Sequence, residues 1–303
     1  MVNWFKRIPN WAALSLVMNG LLFTTLLAVS QEQSADSSGL FAAEISDDGS
    51  LHSGVLNNGV LNDDPSVAAA AIADALVTNA LMADAMELPH PSGGQKRSYE
   101  QWLEVLAADA KTMAAKNPEH LTVLLGDSLS LWFPGELMPG RRVWINQSIS
   151  GERTEGLLKR LDFLDDNEVE AVFVMIGIND LIWGKTDEEI LANYKEIVRR
   201  LKAEHPETQI VVQSILPHGG EQSTWESRDK LEALGSDRIM NMNNALKQIA
   251  TANKAYYLDL YPIFVTGDGT LRNDLTTDGL HLNRQGYLVW RSAIALYAQL
   301  ELQ

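Results

Sequence analysis

The sequence contains no cysteine, which excludes disulfide bonds, thiolate catalysis and cysteine-ligated metal centres. Basic residues are also scarce, because 24 Lys and Arg stand against 40 Asp and Glu and the formal net charge is −16. Nucleic-acid binding depends on cations that neutralise phosphates, so this charge balance argues against nucleic acid as a partner. An acidic chain is also repelled from anionic lipid surfaces.

Several motifs of common enzyme classes are missing as well. The sequence has neither a glycine-rich loop for dinucleotides or phosphates nor the Gly-x-Ser-x-Gly elbow of the α/β-hydrolase fold. Four of the histidines, His52, His90, His120 and His205, have no partner at metal-ligand spacing. We therefore expect no cofactor and no metal.

Two segments precede the predicted globular domain. Residues 1–30 place two basic residues ahead of an uncharged, mostly apolar stretch at 11–29, which predicts a signal peptide or a membrane anchor. The remainder would then be exported, periplasmic or secreted, and would touch membrane only through this segment. Residues 31–97 carry ten acidic residues against two basic ones and are rich in Ser, Asp, Gly and Asn, which predicts a tether. Within this tether, the Ala-rich residues 67–88 show the apolar spacing of a helix.

Residues 98–303 alternate strand-like with helix-like segments. The predicted strands are almost continuously apolar, as expected of a parallel sheet covered on both faces by helices. The pattern therefore predicts a three-layer α/β domain. We predict strands at 121–126, 143–149, 171–178, 210–216 and 255–260, helices at 152–164, 187–203, 237–253 and 284–302, and a first helix that begins with a capping box at Ser98.

A serine follows the first predicted strand directly, in the run Gly-Asp-Ser-Leu-Ser. Open α/β sheets carry their reactive groups at the carboxyl ends of strands, where this Ser128 lies. A serine hydroxyl attacks carbonyl groups well only when a base takes its proton and a third group orients the base. Asp278 and His281, in Asp-Gly-Leu-His, have the spacing for carboxylate to meet Nδ1 and leave Nε2 free. The sequence thus predicts a catalytic Ser128, His281 and Asp278.

Together with Ser-Gly at 150–151 and Gly-Ile-Asn-Asp at 177–180, these motifs resemble the SGNH or GDSL-type hydrolase family from about residue 121 onward. The resemblance implies a flavodoxin-like fold with five parallel strands in the order 2-1-3-4-5. It also implies an oxyanion hole made by the backbone N–H groups of Ser128 and Gly151 and the side-chain amide of Asn179. Members of the family are esterases, lipases, thioesterases and carbohydrate acetylesterases.

Each of these residues also has a purely structural explanation. Ser128 could cap a helix, Gly151 could serve only a turn, and Asn179 could cap the helix that follows it. Asp278 and His281 could belong to a surface loop. The ordered set of motifs favours the catalytic interpretation over these alternatives.

Four other side chains follow strand ends and are candidates for a substrate pocket: Trp132, Phe133, Trp183 and His218. The alternative for the aromatic residues is packing within their loops. The alternative for His218 is a solvated loop position.

The sequence therefore predicts a serine esterase or acylhydrolase acting on a small-molecule or glycan ester. Two alternatives remain open. The first is a carbohydrate O-acetylesterase or an acyltransferase of the cell envelope. The second is a non-catalytic binding or scaffold protein built on the same fold, against which the complete set of nucleophile, base, orienting carboxylate and hydrogen-bond donors argues.

Overall fold

The computed structural model describes residues 97–302, in which a β-sheet is flanked by helices. The predictions for residues 1–30, for the tether and for its helix at 67–88 lie outside the described residues. Within the described part of the chain, no helix combines the length and the apolar character needed to cross a membrane.

Five parallel strands form one sheet in the order β2-β1-β3-β4-β5, which confirms the predicted topology. The strands are β1 Leu121–Gly126, β2 Val143–Ser148, β3 Ala171–Met175, β4 Gln209–Gln213 and β5 Tyr256–Leu258. The α-helices are α1 Tyr99–Lys116, α2 Ser128–Leu131, α3 Thr154–Lys159, α4 Ile178–Ile182, α5 Asp187–Glu204, α6 Arg228–Ala233, α7 Ser236–Ala252, α8 Tyr261–Phe264 and α9 Arg284–Glu301.

The core lies on both faces of the sheet. Every residue of β1 and β3 is buried, as expected for central strands covered by helices on each side. Helix α9 closes one part of this core with the buried side chains of Tyr287 and Trp290. The Trp290 indole N–H donates to the Gln213 side-chain oxygen at 2.7 Å, and the Tyr287 hydroxyl donates to the Leu129 carbonyl at 2.9 Å. The second bond ties α9 to the short helix α2.

The register of the central strands brings three loops together. Gly126, the last residue of β1, pairs with Ser148 of β2 on one side and with Met175 of β3 on the other. The chain therefore leaves three adjacent strands at the same edge of the sheet. The residues that follow each strand within a few positions are neighbours in space, although they lie far apart in the sequence.

Several predicted boundaries differ from the structure. The strands predicted at 210–216 and 255–260 are Gln209–Gln213 and Tyr256–Leu258, and two further differences have a local cause. The strand predicted at 171–178 ends at Met175, because Gly177 adopts a left-handed backbone with φ of 119° and α4 begins immediately after it. The helix predicted at 152–164 starts at Thr154 and is interrupted at Arg160, whose φ of −122° is not helical. A short 3-10 turn, Leu161–Leu164, replaces its last part.

Candidate active site

Ser128 is the first residue of α2, directly beyond the end of β1. Asp127 caps this helix, because its Oδ1 accepts a hydrogen bond from the Leu129 backbone N–H at 3.0 Å. The capping role suggested for the serine therefore belongs to its neighbour. Ser128 itself is only 6% exposed, and its hydroxyl points toward a histidine from the far end of the chain.

The serine, the histidine and the aspartate form one connected chain of hydrogen bonds. Ser128 Oγ lies 3.0 Å from His281 Nε2, and His281 Nδ1 lies 2.8 Å from Asp278 Oδ2. The other carboxylate oxygen of Asp278 accepts the backbone N–H groups of Leu280 at 2.9 Å and His281 at 2.7 Å. Burial raises the pKa of the Asp278 carboxyl, but hydrogen bonds and the charge of His281 outweigh this effect and hold it below its ordinary value.

A loop after β4 holds the backbone of Asp278 in place. The sequence patterns did not predict this contact. The Asp278 carbonyl accepts hydrogen bonds from the Ser223 hydroxyl at 2.6 Å and the Trp225 backbone N–H at 3.0 Å. Gly279 has φ of +87°, and a β-carbon there would lie 2.7 Å from Ser223. Close backbone packing at Gly279 therefore fixes the turn that carries both the aspartate and the histidine.

The two other residues expected at the oxyanion hole follow β2 and β3. Gly151 has a left-handed backbone with φ of +76°. Asn179 is in the first turn of α4, and its side-chain N–H group donates to the carbonyl of Glu152 at 3.2 Å. This bond links the Gly151–Glu152 loop to α4 and fixes the orientation of the amide.

A buried ion pair holds the Gly151–Glu152 loop, and it was not predicted. Glu152 and Arg160 are 4% and 3% exposed, and Arg160 Nε donates to Glu152 Oε1 at 2.8 Å. A second hydrogen bond joins Arg160 Nη2 to Glu152 Oε2. The Tyr99 hydroxyl adds a third bond to the carboxylate at 3.2 Å. Burial, followed by the charge of Glu152, raises the pKa of Tyr99 to about 12.

Two further carboxyl groups are buried near the site. Burial raises the pKa of Asp127 to about 7, with help from the charges of Glu152 and Asp180 and against the hydrogen bond from Leu129. Asp127 Oδ2 has no hydrogen-bond partner among residues 97–302. The Asp180 carboxylate accepts the backbone N–H and the hydroxyl of Thr154 at 2.9 and 2.6 Å, so it joins α4 to the start of α3.

The four pocket candidates lie in different environments. Trp132 contacts His281, since the centroids of the two rings are 4.2 Å apart. Trp183 is 48% exposed at the end of α4. Phe133 is a core residue, which corrects the expectation of a pocket wall. It is 4% exposed, and its ring packs edge-on against Tyr287 and Trp290.

His218 requires a second correction, because it is not solvated and both of its ring nitrogens bind backbone groups. It is 7% exposed, and Nε2 donates to the Leu234 carbonyl at 2.6 Å while Nδ1 accepts the Gly220 backbone N–H at 3.1 Å. Burial lowers the pKa of the imidazole. Both ring nitrogens thus serve to hold the loop after β4.

Residues 97–302 contain no group of three or more His, Asp or Glu side chains arranged to hold a metal ion. The side chains of Ser128, His281 and Asp278 are in hydrogen-bond contact, which is the geometry that general-base activation of a serine would require.

The chain is similar to known hydrolases in sequence and in structure. The model of the GDSL-like Lipase/Acylhydrolase family matches residues 124–289. Platelet-activating factor acetylhydrolase IB subunit alpha1 of Bos taurus is 27% identical over 182 residues, which cover 57% of this chain and 72% of that protein.

Two solved structures share the fold. One from Streptococcus pneumonia, provisionally described as a platelet activating factor, is 26% identical with a TM-score of 0.58, and the match covers 65% of this chain and 95% of that one. One from Bacteroides fragilis, provisionally described as an acylhydrolase, is 20% identical with a TM-score of 0.55 and coverages of 68% and 100%.

Proposed function

The chain belongs to the GDSL-like lipase/acylhydrolase family, and we propose that within it the protein is a serine esterase that uses Ser128, His281 and Asp278. The observation that carries the proposal is the chain of hydrogen bonds from Ser128 Oγ to His281 Nε2 at 3.0 Å and from His281 Nδ1 to Asp278 at 2.8 Å. Among residues 97–302, no other hydroxyl group is hydrogen-bonded to a ring nitrogen of a histidine that in turn contacts a carboxylate.

The proposed reaction has two halves. Ser128 Oγ attacks the ester carbonyl carbon while His281 Nε2 takes the hydroxyl proton, and the carbonyl oxygen becomes an anion. The tetrahedral intermediate then collapses, and His281 gives the proton to the leaving alcohol. A water molecule attacks the acyl-enzyme in the same way, with His281 again as base, and releases the acid and the free serine. Asp278 holds the imidazole in the tautomer that accepts this proton.

The oxyanion would receive hydrogen bonds from the backbone N–H groups of Ser128 and Gly151 and from the side-chain amide of Asn179. One amide N–H of Asn179 is already bonded to the Glu152 carbonyl, and the second remains for the substrate. A neutral donor stabilises the growing negative charge without adding a positive charge next to His281. Such donors act most strongly when they are fixed in advance, and the loop contacts of Asn179 provide this.

The proposal is tested by the loss of activity in variants that keep their fold. We expect Ser128→Ala and His281→Ala each to lower the kcat for p-nitrophenyl acetate by at least about 10⁴-fold. Ser130→Ala is the matched control, because Ser130 is buried in the same helix and its hydroxyl has no partner among the described residues. Activity near the wild-type level in Ser128→Ala, with the control unimpaired, would overturn the assignment.

A short acyl group is the favoured substrate class, since the relatives of Bos taurus and other mammals carry the name acetylhydrolase. Carbohydrate O-acetyl esters and acyl transfer onto a sugar use the same chemistry and remain the second candidate. A series of p-nitrophenyl esters from acetate to decanoate, measured beside acetylated xylan, separates them. We expect kcat/KM to be highest for acetate, and a maximum at long chains would contradict the short-acyl proposal.

We also propose that the domain works outside the cytoplasm. The support is the uncharged, apolar stretch at residues 11–29 behind two basic residues. Fractionation of cells that express the full chain tests this, with Leu21→Arg as the variant that interrupts the stretch. We expect wild-type activity in the exported or membrane fraction and the variant in the cytoplasm. Identical distributions of the two would refute the proposal.

A further inference from the structure

An exposed tryptophan with two cations stands beside the candidate active site. Trp183 is 48% exposed, Lys230 Nζ lies 4.8 Å from the centroid of its ring, and Arg153 Cζ lies 5.9 Å from the same centroid. Both distances are within the range of cation–π contacts. We call these three residues the Trp183 rim.

The two cations of the rim lack carboxylate partners. No Asp or Glu oxygen among residues 97–302 lies within 4.0 Å of either charge. The charge of Arg153 acts on the Asp180 carboxyl only from a longer distance. Neighbouring cations differ, because they are paired: Lys159 with Glu155, Lys185 with Glu189 and Arg228 with Glu232. Both charges lie over one ring without a carboxylate in ion-pair contact, in a chain whose net charge is −16. They repel each other until an anion binds between or beside them.

Arg153 and Trp183 are fixed relative to the proposed oxyanion hole. Arg153 is two residues after Gly151, and the Trp183 backbone N–H donates to the carbonyl of Asn179 at 3.1 Å. The next residue after Arg153 is Thr154, whose backbone N–H and hydroxyl bind the Asp180 carboxylate at 2.9 and 2.6 Å. The buried Asp180 therefore holds the start of α3 against α4, and the arginine is positioned before any substrate arrives.

Lys230 belongs to the segment that follows a third strand, β4. It lies on α6, which follows the loop after β4, and in that loop Ser223 and Trp225 hold the carbonyl of Asp278. The rim residues thus follow β2, β3 and β4, three parallel strands whose carboxyl ends also carry the site. Ligands of open α/β sheets bind at this edge.

We propose that the Trp183 rim binds a negatively charged group, a phosphate or a carboxylate, on an ester whose carbonyl reaches Ser128. The proposal rests on the esterase function above and specifies its substrate class. An arginine fork and a lysine ammonium supply hydrogen bonds and charge for such a group, and the indole face supplies an apolar support. An acidic protein repels anionic substrates at long range, so a local cationic patch next to the nucleophile favours their productive approach.

The test compares charged with neutral esters of similar shape on the full-length protein. Mono-p-nitrophenyl glutarate and p-nitrophenyl pentanoate place the difference in the acyl group. Acetylglycerol phosphate and monoacetylglycerol place it in the alcohol. The variants are Arg153→Gln, Lys230→Gln and their combination, and Lys159→Gln is the control because it removes one charge from a paired, exposed lysine of α3.

We expect the wild type to have the lower KM for the anionic member of at least one pair. Each single variant should raise that KM about threefold and the double variant about tenfold, as for contacts between exposed charges, while kcat and the neutral ester are unaffected. Added salt at 0.5 M should reduce the preference in the wild type. The pair that responds shows whether the charge lies in the acyl group or the alcohol.

Two results would overturn the proposal alone, while Ser128-dependent hydrolysis of the neutral esters persists. One is equal kcat/KM for the charged and neutral members of both pairs. The other is a double variant that changes both members equally, as expected if acidic residues elsewhere in this chain occupy the rim. A wild-type protein that hydrolyses none of the four esters would overturn the esterase function and this proposal with it.

Discussion

Replacing Arg160 by methionine is the perturbation whose size follows most directly from the structure. The guanidinium makes two hydrogen bonds with the Glu152 carboxylate, and both side chains are at least 96% buried. Methionine fills a similar volume but leaves the carboxylate in the core without a positive partner. Removing one member of such a buried pair costs about 3–5 kcal/mol. This is a large share of the roughly 5–15 kcal/mol that stabilises a typical domain.

Urea denaturation measures this cost. With a slope of about 2 kcal/mol per molar urea, Arg160→Met should lower the unfolding midpoint by about 2 M. The combined variant Glu152→Leu with Arg160→Met should regain much of the lost stability, because no uncompensated charge then remains. Arg199→Met is the control. Its partner Glu196 is on the surface, and such a pair contributes about 0–1 kcal/mol.

The Arg160→Met variant also tests how the Gly151–Glu152 loop supports the candidate site. The Glu152 carbonyl accepts the hydrogen bond that orients the Asn179 amide, so a displaced loop would misplace this proposed oxyanion donor and would also shift Gly151. We expect kcat at a temperature where the variant is folded to fall by up to about 100-fold with little change in KM. An unfolding midpoint within about 0.3 M of wild type would refute the reasoning about the buried pair.

Variants at three other positions test single groups in and near the site. Asn179→Ala should lower kcat about 100- to 1000-fold in steady-state ester hydrolysis, and an unchanged kcat would remove Asn179 from the oxyanion hole. Trp132→Ala should lower kcat up to about tenfold because it removes the ring against His281, whereas Trp132→Phe should retain most activity. Equal loss in both would contradict a role for the contact between the two rings. Burial holds the pKa of folded Asp127 at about 7, above its ordinary 3.8, so the unfolded chain loses this proton first and wild-type stability falls between about pH 4 and 7. Asp127→Asn keeps the helix cap and removes this pH-dependent loss of stability, so urea unfolding should show the variant gaining stability relative to wild type from pH 4 to 8. A difference in unfolding free energy that stays constant with pH would contradict the raised pKa of the buried carboxyl.

The apolar pattern of the sequence predicts the parallel sheet, and the family resemblance implies the strand order that brings the distant motifs together. Continuous apolar runs predict buried parallel strands, and parallel strands end at one edge. Ser128, Gly151 and Asn179 each follow one of three adjacent strands, and the pairing of Gly126 with Ser148 and Met175 brings their loops to the same level. Local chain chemistry and strand order together therefore determine where these residues lie.

Contacts made across the fold could not be predicted in the same way. Glu152 and Arg160 have the composition of a solvated helix face, but Glu152 lies before α3, Arg160 directly follows it, and the two side chains meet in the core. Ser223 and Trp225 support Asp278 across more than 50 positions of sequence. Neither spacing nor hydropathy indicates such a pairing.

The errors at Phe133 and His218 have a related origin. A position after a strand end predicts proximity to the cleft but not the direction of the side chain. Phe133 packs against the rings of α9, and both nitrogens of His218 bind backbone groups, one in its own loop and one at the end of α6. The direction depends on packing partners that lie elsewhere in the chain.

Labelling with a fluorophosphonate tests most directly whether folding creates a reactive hydroxyl at Ser128. The reagent bonds covalently to a serine oxygen only when a base removes the proton, so it reports the serine–histidine pair without assuming a substrate. We predict one adduct per chain, located at Ser128 by peptide mass spectrometry, and labelling at least about 1000-fold slower in His281→Ala. Absence of the adduct in the wild type, or equal labelling rates in the two proteins, would contradict the account.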